Sequence, residues 1–309
     1  MKHLNELYRH CTLCPRECGA DRYNAKGYCG EGAAVRIARA ELHFWEEPCL
    51  SLKGGSGTVF FSGCNLGCCY CQNHQISAGH MGFELTVRQL ADTFLRLRDK
   101  GAENIDLVTP THFVPSIIEA LDLLGDSLRL PVIYNCGGYE KPETLELLRG
   151  YVDIFLPDMK YFDSSLSLKL SGAGDYFEKS LASLHKMTDI AGKPRYDSDG
   201  KLIGGVIVRH LVLPHYRKDS IAIIKRLAQE FAPDEILISL MSQFTPEFRA
   251  AENGLDRRTT TFEYKSVLEA VEKAGFDGFI QDRDSAQSEY IPEFFDHLYF
   301  NLPNTQNKL

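Results

Sequence analysis

No apolar run in this chain approaches the roughly 18 residues of a membrane span, and the runs present are short and broken by charge. That predicts a protein with no membrane partner. Positive charge is also scarce. The 309 residues carry a formal net charge of -8, which argues against sequence-independent binding to nucleic acid and leaves at most a local basic patch around a mouth. The opening stretch Met1 to Arg9 is polar and lacks the apolar core of a signal peptide. The ten cysteines are therefore expected in a reducing, cytoplasmic compartment, not in a disulfide framework. Internal repeats and low-complexity tracts are missing too. What remains is a chain 44% hydrophobic, long enough for one sizeable core, of a size that single α/β barrels commonly reach.

Short β-branched runs alternate with amphipathic segments from Thr58 onward, the pattern of a parallel sheet with helical crossovers. Strands are predicted at Thr58 to Ser62, Ile105 to Thr109, Pro131 to Asn135, Asp153 to Pro157, Val206 to Leu213, Ile236 to Met241 and, more weakly, Gly278 to Gln281. The first helix is expected to start from Thr86 as N-cap, to bury Val87, Leu90, Ala91, Phe94 and Leu97, and to stop at Gly101. Similar stripes at Ile117, Ile118 and Leu121, at Tyr176, Phe177, Leu181 and Leu184, at Ile221, Ile224 and Leu227, and at Val267, Leu268 and Val271 read as core. Asp189 to Lys201 reads as an exposed loop. The predicted fold is α/β, a partial (β/α)6 TIM-type barrel with a small Cys-rich N-terminal extension. Its parts are a Cys-rich segment at 1–57, the barrel at 58–300 and a disordered tail at 301–309.

The densest chemistry is Cys64-Asn65-Leu66-Gly67-Cys68-Cys69-Tyr70-Cys71, with the spacing Cys-x3-Cys-x2-Cys directly after the first strand. Parallel barrels carry their working loops at this end of the strands. Three thiolates suit three irons of a 4Fe-4S cluster and leave the fourth open, whereas Fe-S electron carriers and closed zinc sites take four ligands. A zinc knuckle would need a distant fourth ligand, and so would an electron carrier, for which Cys49 and Cys136 are the candidates. Using Cys69 breaks the spacing, so it reads as a non-ligand.

Cys64, Cys68 and Cys71, with aromatic Tyr70 before the last, resemble the signature of the radical S-adenosylmethionine (SAM) superfamily. The tracts Gly57 to Cys68, followed by Cys71-Gln72-Asn73, and Val108 to Pro115 are similar to an uncharacterised family of pyruvate formate-lyase activating enzyme homologues. The resemblance implies a 4Fe-4S cluster that cleaves SAM to a 5'-deoxyadenosyl radical, which takes hydrogen from a substrate. It also implies an electron donor such as flavodoxin or ferredoxin. Cofactor contacts are then expected from Tyr70 and from the strand ends. Thr109, Thr111 and His112 stand where many members carry Gly-Gly-Glu, and Thr109 ending its strand with His112 capping the next helix is the structural alternative. Asn135 precedes Gly137 and Gly138, suited to a close backbone approach to a ligand or to a plain tight turn. Asp158 and Lys160 match the Asp-x-Lys of activating enzymes, although Asn135 replaces the carboxylate that completes their cation site. Arg209 is expected to face cofactor or substrate, with His210 on the other side. Gln243, Thr245, Gln281, Asp282 and Arg283 follow the last strands and are either cavity lining or ordinary loop.

A second thiol-rich segment, Cys11-x2-Cys14-x3-Cys18-x10-Cys29, suits a zinc site, a second iron-sulfur cluster or simply reduced thiols. A bound metal there would fold a segment too small to bury a core. The substrate stays open between a glycine of a partner enzyme, as for an activase, and a small molecule or peptide. A non-enzymatic electron-transfer protein is the contrasting class. RNA methylation would need an acceptor such as Cys136 and a basic surface, which the acidic balance disfavours.

Overall fold

Alternation of apolar side chains at period two sends successive strand residues to opposite faces of one sheet. The computed structural model describes residues 4–281; Asp282, Arg283 and the tail 301–309 lie outside the described residues. Its elements in chain order are β1 (Val35–His43), β2 (Ser56–Phe61), α1 (His74–Ser77), β3 (Phe83–Leu85), α2 (Val87–Asp99), β4 (Ile105–Val108), α3 (Val114–Leu124), β5 (Val132–Cys136), α4 (Pro142–Glu146) and β6 (Ile154–Pro157). There follow α5 (Ser164–Ser171), α6 (Tyr176–Ala191), β7 (Arg195–Tyr196), β8 (Leu202–Leu211), α7 (Arg217–Glu230), β9 (Leu237–Met241), α8 (Thr261–Ala274) and β10 (Gly278–Ile280). The strand order is β10-β9-β8-β6-β5-β4-β2-β1-β3, with β7 paired to β8. From β2 to β10 the neighbours are parallel, while β1 runs antiparallel to both β2 and β3. This is a partial TIM-type barrel, mixed α/β with a largely parallel sheet.

All seven expected strands form, shifted by a few residues at their ends. β1 and β3 were not expected. Because β1 pairs with β2, and β2 begins at Ser56, the Cys-rich segment is joined to the barrel through the sheet itself. The segment 189–201 is more ordered than a loop, since Arg195 and Tyr196 pair with Gly204 and Leu202. Helix α2 starts as expected: the Thr86 hydroxyl accepts from Gln89 N–H, and the Gln89 side chain returns to the Thr86 N–H.

The two faces of the sheet bury different cores. Val132, Tyr134, Phe155, Val206, Val208, Ile236 and Ile238 pack towards the helices. Ile133, Ile154, Leu156, Ile207 and Leu237 pack inward on Cys49 and Leu50, which the connection between β1 and β2 carries into the barrel. That connection is pinned where it crosses the strand starts. Glu103 accepts from the N–H groups of Leu52, Lys53 and Gly54, and Asn104 donates to Leu50 O at 2.7 Å. Burial works to raise the Glu103 carboxyl, but those N–H groups together outweigh it and hold it at about 2.

Candidate active site

Strand β2 delivers the chain into a turn at Gly63, with φ 81°, where an added Cβ would meet Glu31 Cγ at 2.5 Å and Cys29 O at 2.6 Å. Only glycine fits there. Beyond it Cys64, Cys68 and Cys71 line one side of a cavity of about 830 Å³. Each sulfur accepts a hydrogen bond. Leu66 N–H reaches Cys64 Sγ at 3.3 Å, the Ser171 hydroxyl reaches Cys68 Sγ at 2.9 Å, and the Ser77 hydroxyl reaches Cys71 Sγ at 3.3 Å. Burial and the neighbouring Cys68 push the Cys64 and Cys71 thiols up, so a bound metal must displace their protons. Cys69 turns the other way into the main core beside Leu66 and Tyr70.

Behind the loop runs a buried chain of hydroxyls. Tyr70 and Tyr161 are 2.6 Å apart at their hydroxyl oxygens, and Tyr161 and Ser171 are again 2.6 Å apart. Tyr70 is thereby linked to the sulfur of Cys68.

The facing wall comes from the ends of β4, β5, β6 and β8, and brings together Thr109, Asn135, Asp158, Lys160 and Arg209. Lys160 Nζ donates to Asp158 Oδ2 at 2.5 Å, Arg209 Nε to Asp158 Oδ1 at 3.1 Å, and Arg209 Nη2 to Asn135 Oδ1 at 2.7 Å. Burial works to raise the Asp158 carboxyl, but Lys160 and Arg209 outweigh it and hold it below the usual range. Thr109 sits at φ 59°, a strained setting for a β-branched residue, with its N–H on Asn135 O at 2.8 Å. Gly137 lines the cavity, whereas Gly138 serves a tight turn, since a Cβ there would fall 2.0 Å from Asp158 O.

Other expected residues fall elsewhere. His112 is buried outside the cavity lining, its Nε2 2.6 Å from Ser62 O, and it lies in a single 3-10 turn without capping the following helix. Thr111 instead donates to buried Glu140 at 2.7 Å. His210 faces away from Arg209, with Nδ1 2.6 Å from Met159 O. Cys136 lines the cavity and Cys49 does not; burial raises both thiols, Cys49 to about 12. Gln243, Thr245 and Gln281 do line the cavity, with Gln72 bridging to Gln243 O and Thr245 Oγ1 at 3.3 Å. Ser77, Ser171, Glu46 and Glu47 escaped the sequence reading, because nothing local distinguishes them from surface residues.

Three thiols at the head of one cavity, each hydrogen-bonded, fit a cluster that takes one thiolate on each of three irons. Among the described residues no three His, Cys, Asp or Glu side chains converge on a point where a single metal ion would sit. A cluster makes no such demand. Cys11, Cys14, Cys18 and Cys29 are gathered in one place, with Cys18 hydrogen-bonded to Cys11 and Cys11 close enough to add to burial in raising the Cys14 and Cys29 thiols. Their segment braces the cluster loop from behind: Cys64 N–H bonds Cys29 O at 3.3 Å, and Arg16 donates to Asn65 O at 2.9 Å and to Gly172 O at 2.6 Å. Buried Arg22 donates to His112 O and, at 2.6 Å, to Gly32 O.

A family model described as the radical SAM superfamily matches residues 58–228. An uncharacterised protein of Methanocaldococcus jannaschii is 29% identical over 288 residues, covering 88% of this chain and 77% of that protein. Among solved structures, HydG, a maturase of the FeFe-hydrogenase, superposes with a TM-score of 0.50 at 13% identity, over 71% of this chain and 49% of its own. Streptococcus suis SuiB bound to S-adenosylmethionine superposes with a TM-score of 0.48 at 12% identity, over 75% and 51%. The chain spans about half the length of these two solved structures. At such identities the likeness is one of fold. No helix of the described residues is long and apolar enough to cross a membrane.

Proposed function

The chain belongs to the radical SAM superfamily, and from that premise we propose that Cys64, Cys68 and Cys71 hold its 4Fe-4S cluster while Asp158, Lys160 and Arg209 orient its SAM. When bound, the cluster supplies the electron that breaks a carbon–sulfur bond of SAM and so yields a 5'-deoxyadenosyl radical for hydrogen abstraction. The observation that carries the assignment is the placement of three hydrogen-bonded thiols on one cavity wall and a compensated charge cluster on the other.

Residues of the chain bind and orient. Lys160 and Arg209 offer cationic donors to the methionyl carboxylate, while Asp158 and Asn135 offer acceptors to its ammonium. Asp158 stays ionised because two cations face it, so this wall presents fixed charges before anything binds and needs little reorganisation. The buried Tyr70–Tyr161–Ser171 chain fixes Cys68 and keeps water from its back. The rest of the cavity takes the substrate, and a volume of about 830 Å³ falls within the common range for ligand sites. A glycine of a partner enzyme, as for an activase, is one substrate class, and a small molecule or free peptide is the other. Flavodoxin or ferredoxin would serve as electron donor.

The test is anaerobic reconstitution with iron and sulfide, followed by reduction with SAM and quantification of 5'-deoxyadenosine, in wild type and in the Cys64, Cys68, Cys71 triple-Ala variant. Product in wild type alone supports the assignment. A full, reduced cluster that leaves SAM intact defeats it.

A further inference from the structure

Inside the barrel, two on the wall of the same cavity and one directly behind it, stand three carboxyl groups that the proposed reaction does not use. Glu46 and Glu47, carried in by the connection between β1 and β2, line the cavity, and Glu46 is only 10% exposed. Asp106, from the inner face of β4, is 0% exposed and hydrogen-bonded to Glu46. It also accepts from Asn135 Nδ2 at 3.3 Å, and Asn135 lines the cavity. Two of these carboxyl oxygens, Asp106 Oδ1 and Glu47 Oε2, are buried with no hydrogen-bond partner.

The nearby cations have partners other than these three carboxyls. Arg209 spends Nε on Asp158 and Nη2 on Asn135, and Lys160 spends Nζ on Asp158. His43 Nε2 stands 3.7 Å from Glu46 Oε1, but burial and the charge of Arg39 hold its pKa down and keep it neutral. The other ionisable groups that face the three carboxyls are Arg209, His43 beside Glu46 and the Cys49 thiol beside Glu47, and they leave acid in excess. Burial pushes all three carboxyls up, with Arg209 opposing.

A packed interior is what a parallel barrel normally has at this depth, and a buried, unpartnered oxygen is costly to keep. Apolar side chains of similar volume would fill the space at no such cost. Structure alone gives no reason for three acids here. A ligand does. We propose that Glu46, Glu47 and Asp106 form the substrate subsite of the proposed active site, and that it takes a positively charged nitrogen group, an ammonium or guanidinium. The inference rests on the radical SAM reading of the cavity. Among the described residues no three carboxyls converge on a single point, which suits a cation that spreads several N–H donors over separate acceptors better than it suits a metal ion. Phe44 and Trp45, which also line the cavity, add aromatic faces of the kind that attract organic cations.

The experiment is calorimetric titration of the anaerobically reconstituted, SAM-loaded protein with agmatine, putrescine, glutarate and potassium chloride, run in two buffers of different ionisation enthalpy. Agmatine or putrescine is expected to bind saturably and to release protons as the buried acids ionise, with affinity at least tenfold weaker in the Glu46→Gln, Glu47→Gln double variant. Thermal unfolding verifies that the variant is folded, and Glu47→Gln alone reads the same effect should the double variant not fold. The proposal is overturned if neither amine binds, if glutarate binds as well as they do, if potassium alone displaces them, or if binding survives both substitutions. These titrations read ligand binding and not SAM cleavage, so loss of the cleavage activity would count against the radical reading and not against the subsite.

Discussion

Ser171 Oγ lies 2.9 Å from Cys68 Sγ, across 103 residues of sequence. The hydroxyl reaches the sulfur from the last turn of α5, backed by Tyr161 and Tyr70. Hydrogen bonds to cluster sulfurs stabilise added negative charge and so help set the reduction potential. Ser171→Ala is expected to shift the potential of the reconstituted cluster to more negative values, with Ser171→Thr close to wild type. An EPR-monitored redox titration reads both, and identical midpoints in all three proteins would refute the role.

The ten cysteines are not equivalent. Single Ala variants of Cys64, Cys68 or Cys71 are expected to lose the 4Fe-4S absorbance and all 5'-deoxyadenosine formation. Cys69→Ala should keep both, because its side chain lies in the core, and should cost about 1 kcal/mol of stability for the small cavity it leaves. Iron analysis beside urea unfolding separates these outcomes.

Asp158 holds two cations in a buried setting. Asp158→Asn leaves Lys160 and Arg209 without their counter-charge and is expected to cost about 3–5 kcal/mol. The folded pKa of Asp158 is lowered, so its stabilisation is complete above the unfolded value of about 3.9 and disappears as pH falls through the folded one. Wild type should therefore lose stability more steeply than the variant below about pH 4. Urea midpoints measured across that range would show the two curves converging; parallel curves would contradict the assignment.

Glu140 behaves in the opposite sense. Burial raises its carboxyl to about 7, with the hydroxyls of Thr111 and Tyr134 opposing from 2.7 and 3.0 Å. The folded state binds this proton more tightly than the unfolded state, so stability is full below the unfolded value of about 4.3 and falls as pH rises to about 7, by roughly 3–4 kcal/mol. Glu140→Gln should flatten the stability profile between pH 5 and 7. A variant that keeps the wild-type slope would place the titration elsewhere.

The alternation of apolar runs determined the parallel sheet, its seven forward strands and the cap of α2, because period two, period 3.6 and a Thr N-cap are local properties of the chain. The three-Cys loop was equally legible, since its three thiols lie within eight residues and directly follow a strand. β1 was not legible: its hydrogen bonds go to β2 and β3, and a strand that alternates Val35, Arg36, Ile37 and Arg39 among Cys-rich turns resembles surface until its partners are in place. Ser77 and Ser171 become sulfur donors only through the packing of α1 and α5, and Glu46 and Glu47 enter the barrel only because Glu103 and Asn104 pin the connection that carries them. Local pattern decides which elements form, since propensity and periodicity act over a few residues. Which side chains share the cavity is decided by contacts between segments far apart in sequence, and those are set only when the sheet closes around its interior.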